Sequence, residues 1–282
     1  LCARREAVPS RDDAAVGKGE ESMAGQAGEQ ALIRRYRSAR RDRALAVLEG
    51  FHALKHALRF GAEVTDAVAA DPAQLSVLAA ELAPDVAAAL RERTAPVSAE
   101  VLAELVPQAP RTGVVAIARR PEVDVAAVLA APAPEPLVLL EDPRTMGNMG
   151  ACVRVAAAAD AAGVLTTGPN DPWHPDALRG AAGLHFALPV ASVSPLSRIA
   201  AQRGHRGSSD RPLVAIDPGG EDLRPAELPP RAILAFGTER YGLSDALLAR
   251  ADARLGIPMR AGVSSLNLAT AVAAVLFSRR WA

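Results

Sequence analysis

Three short polar segments in the second half of this 282-residue chain hold the side chains best suited to chemistry. In the first, Gly147-Asn148-Met149-Gly150-Ala151 is followed by Arg154. Glycines permit tight turns and close backbone approach, and asparagine suits a helix cap. Arg154 would then lie about one and a half turns into that helix. A guanidinium is a poor base, but it can orient an anion or stabilise developing charge. The plain alternative is a capped helix carrying a surface arginine. In the second segment, Gly237 and Gly242 flank the carboxylate of Glu239. This placement serves a ligand or a helix cap, and it lacks the glycine pattern of a dinucleotide fingerprint. The third runs from Ile257-Pro258-Met259 to Ser264-Ser265-Leu266-Asn267 and opens an apolar stretch. Capping needs one of its polar residues, not three.

These segments require a scaffold. Residues 137–140, 163–166, 213–216 and 232–236 are short, nearly continuous apolar runs, as in strands buried on both faces. Helical segments alternate with them, and the last places Leu266, Ala269, Ala273, Leu276 and Phe277 at helical spacing. The pattern predicts an α/β domain over residues 137–282 with a mainly parallel sheet. Ligands of such sheets gather at the carboxyl ends of the strands, where the polar segments fall.

A smaller α/β domain is expected over residues 30–120. It has an Arg-rich helix, an apolar run at 44–48, Glu49-Gly50, a helix with Phe51, Leu54 and Leu58 on one face, and a second apolar run at 113–118. Pro132, Pro134 and Pro136 favour extended backbone, so residues 121–136 read as a linker. Residues 1–29 show no sustained periodicity and read as a disordered extension.

The 32 basic and 32 acidic side chains cancel overall but not locally. Residues 31–60 carry eight basic residues against two acidic ones. Such a density attracts a phosphate backbone, and Arg34, Arg35, Arg40 and Arg41 are the expected RNA contacts. A solvated helix face is the alternative. Two cysteines, Cys2 and Cys152, form no disulfide framework, and five scattered histidines offer no metal spacing. Cys152 is expected to be a small buried side chain. No membrane span or leader segment is read, which points to a reducing cytoplasm.

Taken in order and spacing, the three segments resemble the SpoU family of S-adenosylmethionine-dependent RNA 2′-O-ribose methyltransferases, within the SPOUT class. Asn148, Gly150, Ala151 and Arg154 match its first motif, and Gly237, Glu239 and Gly242 its second. Ile257, Pro258, Met259, Ser265, Leu266 and Asn267 match its third. The likeness is strong over 137–282. It is weaker over 31–120, where Glu49-Gly50 resembles a mark of the family's RNA-substrate-binding domain. The sequence departs from the pattern in extra residues between Asp142-Pro143 and Asn148, in Val155 where Thr is frequent, and in Ala181 where Ser is common.

The resemblance implies a trefoil-knotted methyltransferase domain and a homodimer with its active site at the interface. It implies S-adenosylmethionine held largely through the peptide groups of Gly237, Ile257 and Leu266, with Ile216 a further contact. It assigns Arg154 to activation of the ribose hydroxyl. Asn148, Glu239, Ser265 and Asn267 would orient ribose, Arg154 and cofactor. No metal is required. The substrate class is structured RNA, ribosomal RNA ahead of transfer RNA. The rival reading is a non-catalytic RNA-binding protein that retains the knot, against which the presence of Arg154, Glu239 and Asn267 counts.

Overall fold

The computed structural model describes residues 11–193, 211–224, 226–238 and 240–280, with side chains from 25 to 278. Ile33, Tyr36 and Ala39 recur every three residues and are buried, which fixes the Arg-rich segment as the end of helix α1 (Arg11–Ala39). The extension expected to be disordered over 1–29 is therefore helical from Arg11 onward, while residues 1–10 lie outside the described residues. The physical reason is cooperativity. Once the packed end bears the cost of nucleation, each preceding residue adds a hydrogen bond cheaply.

Strand β1 (Leu45–Glu49) leads through Gly50 into α2 (Phe51–Arg59). Then come β2 (Val64–Ala69), α3 (Pro72–Leu82), α4 (Ala87–Arg93), β3 (Ala95–Pro96), α5 (Ala99–Leu105) and β4 (Val114–Arg119). The sheet order is β1-β4-β2-β3, with β4 antiparallel to both neighbours. Gly50 has φ 99°, and Phe51 N donates to Thr112 Oγ1 at 2.9 Å, so the strand-to-helix corner selects glycine.

The segment expected to be an extended linker contains a short helix, α6 (Val125–Ala130). Asp124 caps it by accepting from the amides of Ala126 and Ala127, and the residues on either side of it, 121–124 and 131–136, form neither helix nor strand. The proline run is anchored. The buried Arg211 guanidinium donates to Leu129 O at 3.1 Å, Glu135 O at 2.8 Å and Arg231 O at 3.1 Å.

The second sheet follows the expected α/β pattern. Its strands are β5 (Leu137–Leu140), β6 (Gly163–Thr166), β7 (Val190–Ser192), β8 (Leu213–Asp222), β9 (Ile233–Phe236) and β10 (Ala253–Gly256). The order is β10-β8-β9-β5-β6-β7 and all five pairings are parallel. Helices α7 (Met146–Ala158), α8 (Pro175–Gly180), α9 (Asp245–Leu248) and α10 (Leu268–Arg280) accompany it. The chain places β6 and β7 on one side of β5, then crosses to build β8, β9 and β10 on the other. That reversal is where open α/β sheets bind ligands.

The buried stripe of α10 is Leu268, Val272, Val275 and Leu276. It is not the stripe expected from Leu266 and Ala273, because the helix begins after Leu266, which is 39% exposed. Cys152 is fully buried, as expected. Leu48, Phe51 and Leu54 of the first unit share one apolar cluster with Cys152, Val153 and Leu178 of the second. The two units thus meet through core and not only through the proline run.

Candidate functional site

Each of the strands β8, β9 and β10 ends in a local irregularity, and together these make a cavity of about 370 Å³. On β10, Arg254 pairs with Ala215 but Leu255 pairs with Glu221, so residues 216–220 of β8 bulge away from β10 while Ile216 still pairs with Phe236 of β9. This bulge brings Ile216, Asp217 and Pro218 to the cavity wall, and Arg254 Nε donates to Asp217 Oδ1 at 2.9 Å. At the exit of β9, Thr238 and Gly242 exchange two backbone hydrogen bonds of 3.0 Å. A Cβ on Gly237 would come within 2.0 Å of the Gly242 carbonyl carbon, so no larger residue fits that fold of the loop. Ile257 and Met259 follow β10, and Ser264, Ser265 and Leu266 complete the rim.

The loops are braced from below. Glu141, which follows β5 and is nearly buried, accepts from Ser244 N at 2.7 Å and Ser244 Oγ at 2.6 Å. The same Ser244 hydroxyl caps α9 by accepting from Leu247 N. Sequence reasoning missed Glu141, although its place at the carboxyl end of a buried strand was a usable signal.

Asn148 was expected to cap its helix. Instead Thr145 occupies the N-cap position of α7 and Asn148 lies within the first turn. Of the glycines around it, Gly150 makes the close backbone approach expected of it, within a helix packed on α8 and not in a tight turn. A Cβ on Gly150 would sit 2.1 Å from Ala177 O, and one on Gly180 2.8 Å from Gly147 O. These glycines allow α7 and α8 to pack backbone against backbone. Asn148 is instead held by Asn267, whose Nδ2 donates to Asn148 Oδ1 at 3.2 Å. Asn267 also caps α10, its Oδ1 accepting from Ala269 N at 3.0 Å and Thr270 N at 3.4 Å. Capping accounts for Asn267, which leaves Ser264 and Ser265 facing the cavity.

Of the residues singled out from sequence, Ile216, Gly237, Ile257, Ser265 and Leu266 therefore line one cavity, and Asn148 is joined to its rim through Asn267. Glu239 lies outside the described residues. Arg154 does not line this cavity. It is exposed on a second, larger cleft of about 660 Å³ between the two units, opposite His52 and Lys55 of α2.

The basic run divides by partner. Arg34 and Arg41 are exposed, and Arg35 pairs with Asp66 at 2.9 Å. The Arg40 guanidinium is committed inward to Glu49, whose carboxylate is 2% exposed and also accepts from Arg179 of α8. Arg40 thus serves the junction between the units and does not present itself to a nucleic acid. Among the described residues no group of His, Cys, Asp and Glu could hold a metal ion, and no helix is long and apolar enough to cross a membrane.

A family model described as the SpoU rRNA Methylase family matches residues 135–277. A 23S rRNA (uridine(2479)-2′-O)-methyltransferase of Streptomyces viridochromogenes is 31% identical over 144 residues, which is 50% of each chain. The present chain thus spans about half the length of that relative. The crystal structure of the SpoU methyltransferase AviRb from Streptomyces viridochromogenes in complex with AdoMet superimposes with a TM-score of 0.73 at 25% identity. That likeness covers 89% of this chain and 98% of the other. An AdoMet-bound rRNA methyltransferase from Sinorhizobium meliloti gives a TM-score of 0.71 at 25% identity, over 89% and 93% of the two chains.

Proposed function

The chain belongs to the SpoU rRNA methylase family, and from that premise we propose that it transfers a methyl group from S-adenosylmethionine to a ribose 2′-hydroxyl of ribosomal RNA. The observation that carries this reading is the convergence of Gly237, Ile257, Ser265 and Leu266 on one cavity at the ends of β8, β9 and β10. Its size falls in the range of small-ligand sites, about 300–1,000 Å³. Apolar side chains of Ile216, Phe236, Ile257 and Leu268 can cover an adenine ring, while Asp217, Thr238 and the two serines offer polar contacts. The residues present therefore fit the cofactor.

When bound, S-adenosylmethionine supplies an electrophilic methyl group. The chain's own residues supply position and charge. Gly237 gives the β9 loop its close fold, so that peptide groups of the loop can face the ligand beside the Thr238 side chain. Asn267 fixes Asn148 at the edge of the cavity, from which Asn148 would orient the ribose. Arg154, on the same helix as Asn148, would hold the RNA and stabilise charge as the hydroxyl proton leaves. It would not take that proton, since a guanidinium stays protonated at any working pH. Positioning of this kind is the main contribution a protein makes to an in-line transfer.

The family reading also brings the trefoil knot, the amino-terminal unit as an RNA-substrate-binding domain, the cytoplasm as its location, and a homodimer. Exposed Tyr241, Val263 and Leu266 beside the cavity are consistent with a second copy covering them. Titration calorimetry of the full chain with S-adenosylmethionine tests the reading. One site per chain is expected, and absence of binding would overturn it.

A further inference from the structure

The cleft that receives Arg154 has a composition the cofactor cavity lacks. Its walls carry His52 and Lys55 from α2, Arg111 from the loop before β4, and Arg154 and Arg179 from the second unit. Its one carboxylate, Glu49, is already spent on Arg40 and Arg179. Among the described residues, Lys55, Arg111 and Arg154 form no ion pair. Asp85, the nearest acid felt by Lys55, is held by a two-point contact to Arg59 at 2.6 Å. The cleft is thus a cationic surface whose counter-charge the described residues do not provide.

The walls feel each other across the boundary. Burial, then Arg59 and Arg154, pulls the Lys55 ammonium below its ordinary range, with Asp85 opposing. Burial, Lys55 and Arg154 likewise lower His52. An anion between them would relieve that repulsion. The walls are also held in register. His56 Nδ1 donates to Ala182 O at 2.7 Å, and Arg120 donates to Asp171 at 2.7 Å and to Leu45 O at 2.6 Å.

We propose that this interdomain cleft grips the RNA backbone phosphates adjoining the methylated ribose, with Lys55 and Arg111 on one wall and Arg154 on the other. The inference rests on the RNA methyltransferase reading and adds to it the residues that seat the substrate. Helix α7 supplies the geometry. Asn148 at its start is tied to the cofactor cavity, and Arg154 lies six residues on, about 9 Å along the axis. A ribose at the cavity rim would leave a neighbouring phosphodiester within reach of the cleft. The motif arginine would then act on the backbone together with side chains from the other unit, which explains why the two units share a core.

The test uses the full chain, unmodified 23S ribosomal RNA and the double variant Lys55→Gln with Arg111→Gln. These side chains are outside the buried core, so the variant should fold and bind S-adenosylmethionine like the parent. Loss of two phosphate contacts should flatten the slope of log affinity against log salt by about 1.4 if the RNA there is single-stranded. The KM for RNA should rise about tenfold with little change in kcat. A matched control, Arg91→Gln with Arg93→Gln, removes the same charge from α4 outside the cleft and should leave both readouts near the parent's. An unchanged salt slope and KM in the cleft variant would overturn the proposal, as would equal losses in the control. The salt slope reads the cleft separately from catalysis, so a parent chain that binds RNA but transfers no methyl group would count against the proposed function alone.

Discussion

Arg179 of α8 donates to Glu49 Oε2 at 2.5 Å, joining a helix beside the parallel sheet to the last residue of β1. Arg40 reaches the other oxygen of the same carboxylate, so one buried acid is shared by two guanidiniums from different units. The Glu-Gly mark of the sequence acquires a physical meaning here. Glu49 locks the units together, and Gly50 turns the chain so that α2 faces the cleft.

Removing Arg40 should therefore cost stability, whereas removing Arg34 should not. Because Arg179 still faces Glu49 and is half exposed, the expected loss for Arg40→Ala is about 1–3 kcal/mol. Arg34→Ala should stay within about 0.5 kcal/mol of the parent. Urea unfolding separates the two. Equal midpoints would mean that Arg40 belongs with the solvated arginines after all.

Asn267 does two things that can be parted. Asn267→Ser keeps an oxygen for the α10 cap but cannot reach Asn148. Its melting temperature should stay near the parent's while turnover drops about tenfold or more. Asn267→Ala loses the cap as well, at a further cost of about 1 kcal/mol. Thermal melts beside single-turnover methyl transfer report both quantities. Normal turnover in the serine variant would reduce Asn267 to a cap.

Gly237→Ala should damage cofactor binding more than folding. The added methyl collides with the Gly242 and Leu243 backbone, and the loop must reopen to admit it. Gly150→Ala collides instead with Ala177 O between two helices, so its damage should appear in stability, at about 1–3 kcal/mol. Calorimetry with S-adenosylmethionine and urea unfolding on both variants checks this division.

His185 makes stability depend on pH. It is buried, its Nε2 donates to Pro172 O at 2.8 Å, and burial pushes its pKa down to about 4 from 6.5. The unfolded chain takes a proton below about pH 6.5 that the folded chain refuses until about pH 4. Stability should therefore fall as pH drops through that window, by up to roughly 3 kcal/mol, and this contribution should level off below it. His185→Gln should show a smaller decline. A residual slope is expected, because burial also lowers His52 and His56.

The cavity at the ends of β8, β9 and β10 was legible in part, because two of its walls lie in contiguous segments, 237–242 and 257–266, with more glycine and serine than turns and helix caps require, whereas its wall at Asp217 and Pro218 carried no such signal. Strands β5, β6 and β9 were legible as continuous apolar runs. The cleft was not. His52, Lys55 and Arg111 belong to no motif, and only the packing of α2 against the second unit brings them opposite Arg154. The direction of Arg40 was hidden for a related reason, since a run of arginines does not show which one faces a buried acid. Helix α1 was missed over 11–29 because those residues carry no apolar stripe. What nucleates their helix is the packed stripe at Ile33, Tyr36 and Ala39.

Methyl transfer to ribose can be read directly from the fate of the methyl group. The full chain is incubated with S-adenosylmethionine labelled in the methyl group and with unmodified 23S ribosomal RNA. The RNA is then hydrolysed in alkali and the products are identified by mass. Label should be confined to alkali-resistant dinucleotides bearing a 2′-O-methyl ribose, and should fall by about a hundredfold or more in Arg154→Ala. Label recovered on a base, or no label in ribosomal RNA from a chain that binds the cofactor, would contradict ribose methylation.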